Sequence, residues 1–136
     1  MTQTMKEYQL VISSEPVNIS KVEPFLEQVC NELSVPEEIY GNVLISVTEA
    51  VNNGIVHGNN TDKSKNVTVF ATYNGKLLSF KIADQGNGFD FNNIPDPTSP
   101  ENIEKTTGRG IFLMKQLSEY VIFSNNGNTV EIQFKV

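Results

Sequence analysis

The 136-residue sequence predicts an α+β fold of a single domain spanning residues 1–136. The expected architecture is a two-layer sandwich, with helices on one face of a mixed, mostly antiparallel sheet. Three observations carry this prediction. Alternating apolar runs come in pairs joined by short Asn/Gly turns, the usual link between antiparallel neighbours. Two amphipathic helical patterns stand before the first hairpin, and a third stands before the last one. The length is that of about one domain, enough to bury a core of ordinary size.

Each element can be justified in order. Residues about 5–13 predict a first strand. Val22, Phe25, Leu26, Val29, Cys30 and Leu33 recur at helical spacing and predict a helix over about 20–34. Ser20 and Glu23 have the spacing of a capping box, and Pro24 suits only a first turn. Cys30 lies on the apolar face and reads as a core residue. Ser34-Val35-Pro36 predicts the start of a second helix, with Ser34 or Val35 as cap and Pro36 in the first turn, running to about 57. Along it Ile39, Tyr40, Val43, Leu44, Val47, Ala50, Val51 and Ile55 gather on one arc, and Gly58-Asn59-Asn60 stops it. Residues about 66–73 and 76–83 flank Asn74-Gly75, a two-residue hairpin signal. The stretch of about 90–107, with Pro95, Pro97 and Pro100, predicts a long irregular loop. Gly108-Arg109-Gly110 then opens a short helix over about 110–118, and a closing hairpin pairs about 120–124 with 129–136.

Composition narrows the function. Apolar residues are 38% and charged residues 19% of the chain, as in globular rather than disordered sequences. The 10 basic and 16 acidic residues give a net charge of −6 with no basic cluster, which argues against a nucleic-acid partner. No apolar run approaches the roughly 20 residues that span a bilayer, and Met1 to Gln9 show no secretory leader. The single cysteine excludes an internal disulfide framework, so the expected setting is cytoplasmic, away from the membrane. The single histidine leaves no pair for a two-histidine metal motif.

Three features exceed what a core needs. Asn42, Ser46, Glu49, Asn53 and His57 border the apolar arc of the second helix. Glu49 and Asn53, four residues apart, are neighbours that could hold a hard cation or a water, although a solvated helix face has the same pattern. Asp84-Gln85-Gly86-Asn87-Gly88-Phe89 follows an apolar strand directly. Its glycines allow a backbone to approach a ligand, and Asp84 could accept from an exocyclic amine; a turn capped by its own aspartate would read alike. An EF-hand would need Gly at 89 and a dinucleotide fingerprint would need Gly at 91, and both positions are Phe. Thr106-Thr107-Gly108-Arg109-Gly110 precedes a helix, where free N–H groups favour an anion, as they do in any loop-to-helix turn.

Taken together, in this order and context, the three features resemble the GHKL (Bergerat-fold) ATPases. Thr48 to Gly58 looks like their N-box, Asp84 to Phe89 like the next box, and Gly108 to Met114 like the glycine box at the end of the lid. The Ala-Val-x-Asn and His-Gly wording and the small size make the chain most similar to bacterial anti-sigma factor serine/threonine kinases, over nearly its whole length. The resemblance implies ATP and Mg²⁺ as cofactors. It implies that Glu49 acts as general base, that Asn53 coordinates Mg²⁺, and that Asp84 accepts from the adenine amino group. Gly86 and Gly88 would give room to base and ribose. Thr107, Gly108, Arg109 and Gly110 would hold the phosphates, and Thr129 would lie near the adenine. It further implies a homodimer that binds a sigma factor and phosphorylates a small anti-sigma antagonist of STAS-like type. A nucleotide-gated binding switch without catalysis is the alternative reading.

Overall fold

A computed structural model describes residues 6–86, 106–124 and 128–136, with residues 106–109 described by their backbone alone. Strand β1 (Lys6–Ser13) is followed by a 3-10 turn (Pro16–Lys21), helix α1 (Val22–Glu32) and helix α2 (Glu37–Asn53). A π-helical turn (Gly54–Gly58) extends α2. Then come β2 (Asn66–Tyr73), β3 (Leu77–Ala83), α3 (Thr106–Leu117), β4 (Tyr120–Ser124) and β5 (Thr129–Lys135). The five strands form one sheet in the order β1-β2-β3-β5-β4, and every pairing is antiparallel. The expected α+β sandwich is the observed one.

Strand alternation decides which face the helices cover. Ile12, Val67, Val69, Ala71, Leu78, Phe80, Ile82, Val130, Ile132 and Phe134 point one way and are buried. Val22, Leu26, Val29 and Cys30 of α1, Val43, Val47, Ala50 and Val51 of α2 and Ile111 and Met114 of α3 close over them. Ile55 on the π turn belongs to the same core, whereas Ile39, Tyr40 and Leu44 are only half-buried against it. Burial pushes the Cys30 thiol up to about 11, which keeps it protonated at neutral pH and fits the expected core role.

Four local expectations are corrected. Ser20 and Glu23 form no capping box: the Ser20 hydroxyl donates to Val17 O (2.9 Å) within the 3-10 turn, and α1 starts after Lys21 without a side-chain cap. The hydroxyl reaches back to its own turn because Pro16 sets a tight start one turn early. Pro36 is the residue flanking α2 rather than one inside it, and Ser34 belongs to the end of α1. With φ 54°, Ser34 stands where a Schellman motif usually has glycine, with Ser34 N–H on Asn31 O and Val35 N–H on Cys30 O. The first hairpin turns on Gly75 and Lys76, since Tyr73 pairs with Leu78 and only Gly75 takes a positive φ, 95°. Asn74 stabilises that turn from outside by accepting the Lys76 and Leu77 N–H groups (2.9 and 2.8 Å). Lastly, α3 begins at Thr106, so Gly108 and Gly110 lie within the helix. Each glycine costs about 1 kcal/mol of helix propensity, and packing on α2 offsets that loss.

Phe80 sits at the centre of the sheet, fully buried and edge-on to Phe134 with ring centroids 6.1 Å apart. Phe80→Ala is expected to lower unfolding free energy by about 3–5 kcal/mol, measured by urea denaturation.

Candidate functional site

The exposed side of α2 is set by the same spacing that builds its core side. Glu49 and Asn53 are half-buried on adjacent turns, Ile45 is exposed and Val56 half-buried. Ser46 is fully buried, with no hydrogen-bond partner for its hydroxyl among the described residues, so it leaves the accessible stripe and belongs to the helix's inner border. His57 is exposed on the π turn.

Helix α3 meets this stripe at Gly110. A methyl group there would stand 2.8 Å from Glu49 Oε2 and 3.3 Å from Asn53 Nδ2. The third sequence feature therefore rests on the first, and any side chain at 110 would push the Glu49 carboxylate from its place. Gly110 is buried, and the acid and the amide both face it. The carboxylate of Glu49 and the side-chain amide of Asn53 supply hard oxygen donors on one side of a helix crossing.

The second feature meets α2 at its other end. β3 stops at Ala83, and the Asp84 N–H donates to Asn128 O (2.9 Å), which pins the strand end to the start of β5. The Gly86 N–H donates to Asp84 Oδ1 (2.9 Å), closing a turn on the aspartate's own carboxylate. A methyl group on Gly58 would collide with the Asp84 carboxylate, and one on Gly86 would collide with Gly58 O. Asp84 therefore lies against the π turn, one turn beyond Asn53. Gly54 opens that turn, packed so that a methyl group would be 3.3 Å from Val67 Cγ2.

Asp84 is half-buried, and burial pushes its carboxyl above the usual range, against the pull of the Gly86 N–H and of Lys65. The turn uses only part of its capacity, because a carboxylate has about four lone-pair sites. Thr129 pairs across from Ala83 at the start of β5, is buried, and its Oγ1 lies 3.1 Å from Asn128 Oδ1. It thus flanks the strand end that carries Asp84.

Of the expected site residues, Glu49, Asn53 and Gly110 come together, and so do Asp84, Gly86 and Thr129. Helix α2 joins the two groups. Thr107, Gly108 and Arg109 lie in the first turns of α3, and nothing is described beyond their backbone. Gly88 lies outside the described residues, as does most of the expected loop. Two residues escape the sequence reading: Gly58 and Asn59 read as a helix stop, yet one makes room for Asp84 and the other is fully buried beside it.

The sequence profile of the family described as "Histidine kinase-like ATPase domain" matches residues 12–134. A protein of Bacillus velezensis called "Serine-protein kinase RsbW" is 28% identical over 96% of this chain and 86% of its own length. Proteins of the same name from Oceanobacillus iheyensis and Bacillus cereus are 27% and 24% identical, over 86% and 96% of this chain and 78% and 85% of theirs. Among solved structures, the RsbU and RsbW domains of a Mycobacterium tuberculosis protein align with a TM-score of 0.67 at 13% identity. That alignment covers 96% of this chain but 32% of the other, so the chain spans about a third of that longer protein and shares its fold there.

The raised carboxyl of Asp84 has a consequence for stability. The folded state holds this proton more tightly than the unfolded chain does. Its contribution is therefore fully present below the ordinary carboxylate value and is lost as pH rises through the shifted one. Asp84→Asn keeps an acceptor for the Gly86 N–H and removes the buried charge. Its thermal midpoint at about pH 8 is expected at or above that of the wild type, with the gap closing as pH falls to about 4.

Proposed function

This chain belongs to the histidine kinase-like ATPase domain family, and on that premise we propose that residues 1–136 form a single ATP-binding domain acting as a protein serine/threonine kinase and anti-sigma factor. Its substrate in this reading is a serine or threonine of a small STAS-like antagonist protein. Its other partner is a sigma factor, and it works in the cytoplasm as a homodimer, without contact to nucleic acid or membrane. The single observation that carries the reading is the crossing at Gly110. There, Glu49 and Asn53 are brought against the start of α3 while the same helix holds Asp84 at its end. In this reading the three sequence features line one site rather than three. The relatives named as serine-protein kinases support the kinase assignment over a plain ATPase.

In this reading Asp84 accepts the adenine amino group, with Gly86 and Gly88 giving room to base and ribose and Thr129 beside them. Thr107, Gly108, Arg109 and Gly110 hold the phosphates, aided by the N–H groups and dipole of the α3 terminus. The donor set fits Mg²⁺: a hard cation takes oxygen ligands and commonly pairs few protein groups with phosphate oxygens. Asn53 would hold it, and when bound the ion neutralises phosphate charge. Glu49 orients the substrate hydroxyl and takes its proton. The hydroxyl oxygen bonds to the γ-phosphorus as the bond to the leaving ADP oxygen breaks. Positioning and charge neutralisation carry most of the rate.

A second reading, the nucleotide-gated switch, draws on the exposed apolar side chains beside the site. Ile45 on α2 is 46% exposed and Phe112 on α3 is 40% exposed. Such side chains suit a protein contact whether or not phosphate is transferred.

The test is transfer of labelled phosphate from ATP to a candidate antagonist. Glu49→Ala is expected to bind ATP with affinity within a few-fold of the wild type while transfer falls by about 10²–10⁴. Unchanged transfer in this variant removes the kinase assignment, and nucleotide-dependent complexes without any transfer in the wild type favour the switch. Gly110→Ala separates packing from chemistry. It gains about 1 kcal/mol of helix propensity but drives a methyl group into Glu49. Its stability is expected to match or exceed that of the wild type, by calorimetric scanning, while transfer drops at least about tenfold.

A further inference from the structure

Asn59 follows the π turn and is fully buried. Buried asparagine is uncommon, and its amide must be matched on both sides. Here Nδ2 donates to Ser14 Oγ (2.7 Å) and to Asn66 O (3.0 Å), while Oδ1 accepts from the Gln85 N–H (2.8 Å). One side chain therefore joins the end of β1, the start of β2 and the turn after β3. Its backbone is committed as well: Asn59 N–H donates to Gly54 O (2.8 Å), and Asn59 O accepts from Asp62 N–H (3.0 Å). Ser14 is equally fixed, since its hydroxyl and its N–H both donate to Lys65 O (2.9 and 3.0 Å).

The Gln85 N–H lies between Asp84 and Gly86, and among the described residues the turn they form is also anchored by the Asp84 N–H on Asn128 O (2.9 Å). The Gln85 side chain accepts from Asn66 N–H (2.6 Å), and Asn128 Nδ2 reaches Gly86 O at 3.4 Å. Gly86 has to sit flush on Gly58 and Asp84 on the same glycine, so a small drift of the turn moves the carboxylate directly.

We propose that Asn59 is a positioning residue for base recognition, holding the turn of residues 84–86 so that the Asp84 carboxylate stays at the end of α2. The proposal rests on the reading of Asp84 as the adenine acceptor. A wrongly placed carboxylate weakens the contact with the base and leaves the phosphate end, one turn back along α2 at Asn53, as it was. The loss therefore falls on discrimination between bases rather than on binding in general.

The experiment measures ATP and GTP affinity by calorimetry, with Mg²⁺, on the full chain. For the wild type, ATP is expected to bind tighter than GTP; a wild type that binds neither nucleotide, or both equally, overturns the adenine reading itself. Given a discriminating wild type, Asn59→Ala is expected to lower the ATP-over-GTP ratio at least about tenfold, with GTP affinity within about threefold. A structural role alone lowers the unfolding midpoint and leaves the ratio of the folded protein unchanged, and that result overturns the proposal. Should Asn59→Ala fail to fold, Ser14→Ala decides. It removes one acceptor from the Asn59 amide without touching the turn. A ratio lowered about threefold, with faster hydrogen exchange at the Gln85 amide, supports the proposal, and an unchanged ratio and exchange rate overturn it.

Discussion

Close approach to helix α2 is the constraint on which the rest depends. Two other segments touch this helix and its π turn, and at those contacts an added methyl group would displace the Glu49 carboxylate or collide with the Asp84 carboxylate or Gly58 O. Gly110 lets α3 come down on Glu49 and Asn53, and Gly58 and Gly86 let the Asp84 turn come up to the helix end. The glycines of the site thus have a steric task that is separate from any ligand. They cost helix propensity where they fall inside α3, and the core contacts of Ile111 and of Met114, one turn on from Gly110, make up the difference.

The polar groups show a similar division. Asp84 carries a half-buried charge whose desolvation is only partly offset by one N–H and a nearby lysine. Local stability is given up at the residue that the proposed function makes the base acceptor, as is common where a site makes demands the fold does not. Asn59, hydrogen-bonded to the N–H of the next residue, Gln85, is the opposite case, because three of its four amide valences are matched in the interior. A tense group is held by a satisfied one.

Much of the fold is legible in the sequence because its periodicities are strong. The strand bounds fall within a residue or so of their expected places, and the five buried hydrophobic side chains of α2 and its extension are among the eight on the expected arc. What escapes the sequence is decided by contacts between distant segments. Ser20 looks like a cap, yet the 3-10 turn claims its hydroxyl. Gly108 and Gly110 look like the end of a loop, yet the crossing with α2 holds them in a helix. Asn74-Gly75 has the composition of a turn, but strand register places the turn one residue later. The three motifs of the site are legible one by one, and that they converge is implied only by the family resemblance. Asn59 has no signal at all, since an asparagine after a glycine at a helix end is ordinary punctuation, and its partners are 45 and 26 residues away in the chain.

The strand order has an implication for how the chain is assembled during synthesis. β5 leaves the ribosome after the other four strands of this sheet, yet it lies inside the sheet, between β3 and β4. Until residues 129–135 have emerged, β4 has no neighbour to pair with, and β3 presents a bare edge with Leu78, Phe80 and Ile82 lacking their partners. The nascent polypeptide therefore carries an open seam from the completion of β3 until β5 emerges, a template for unwanted strand addition that β5 alone of these strands can seal.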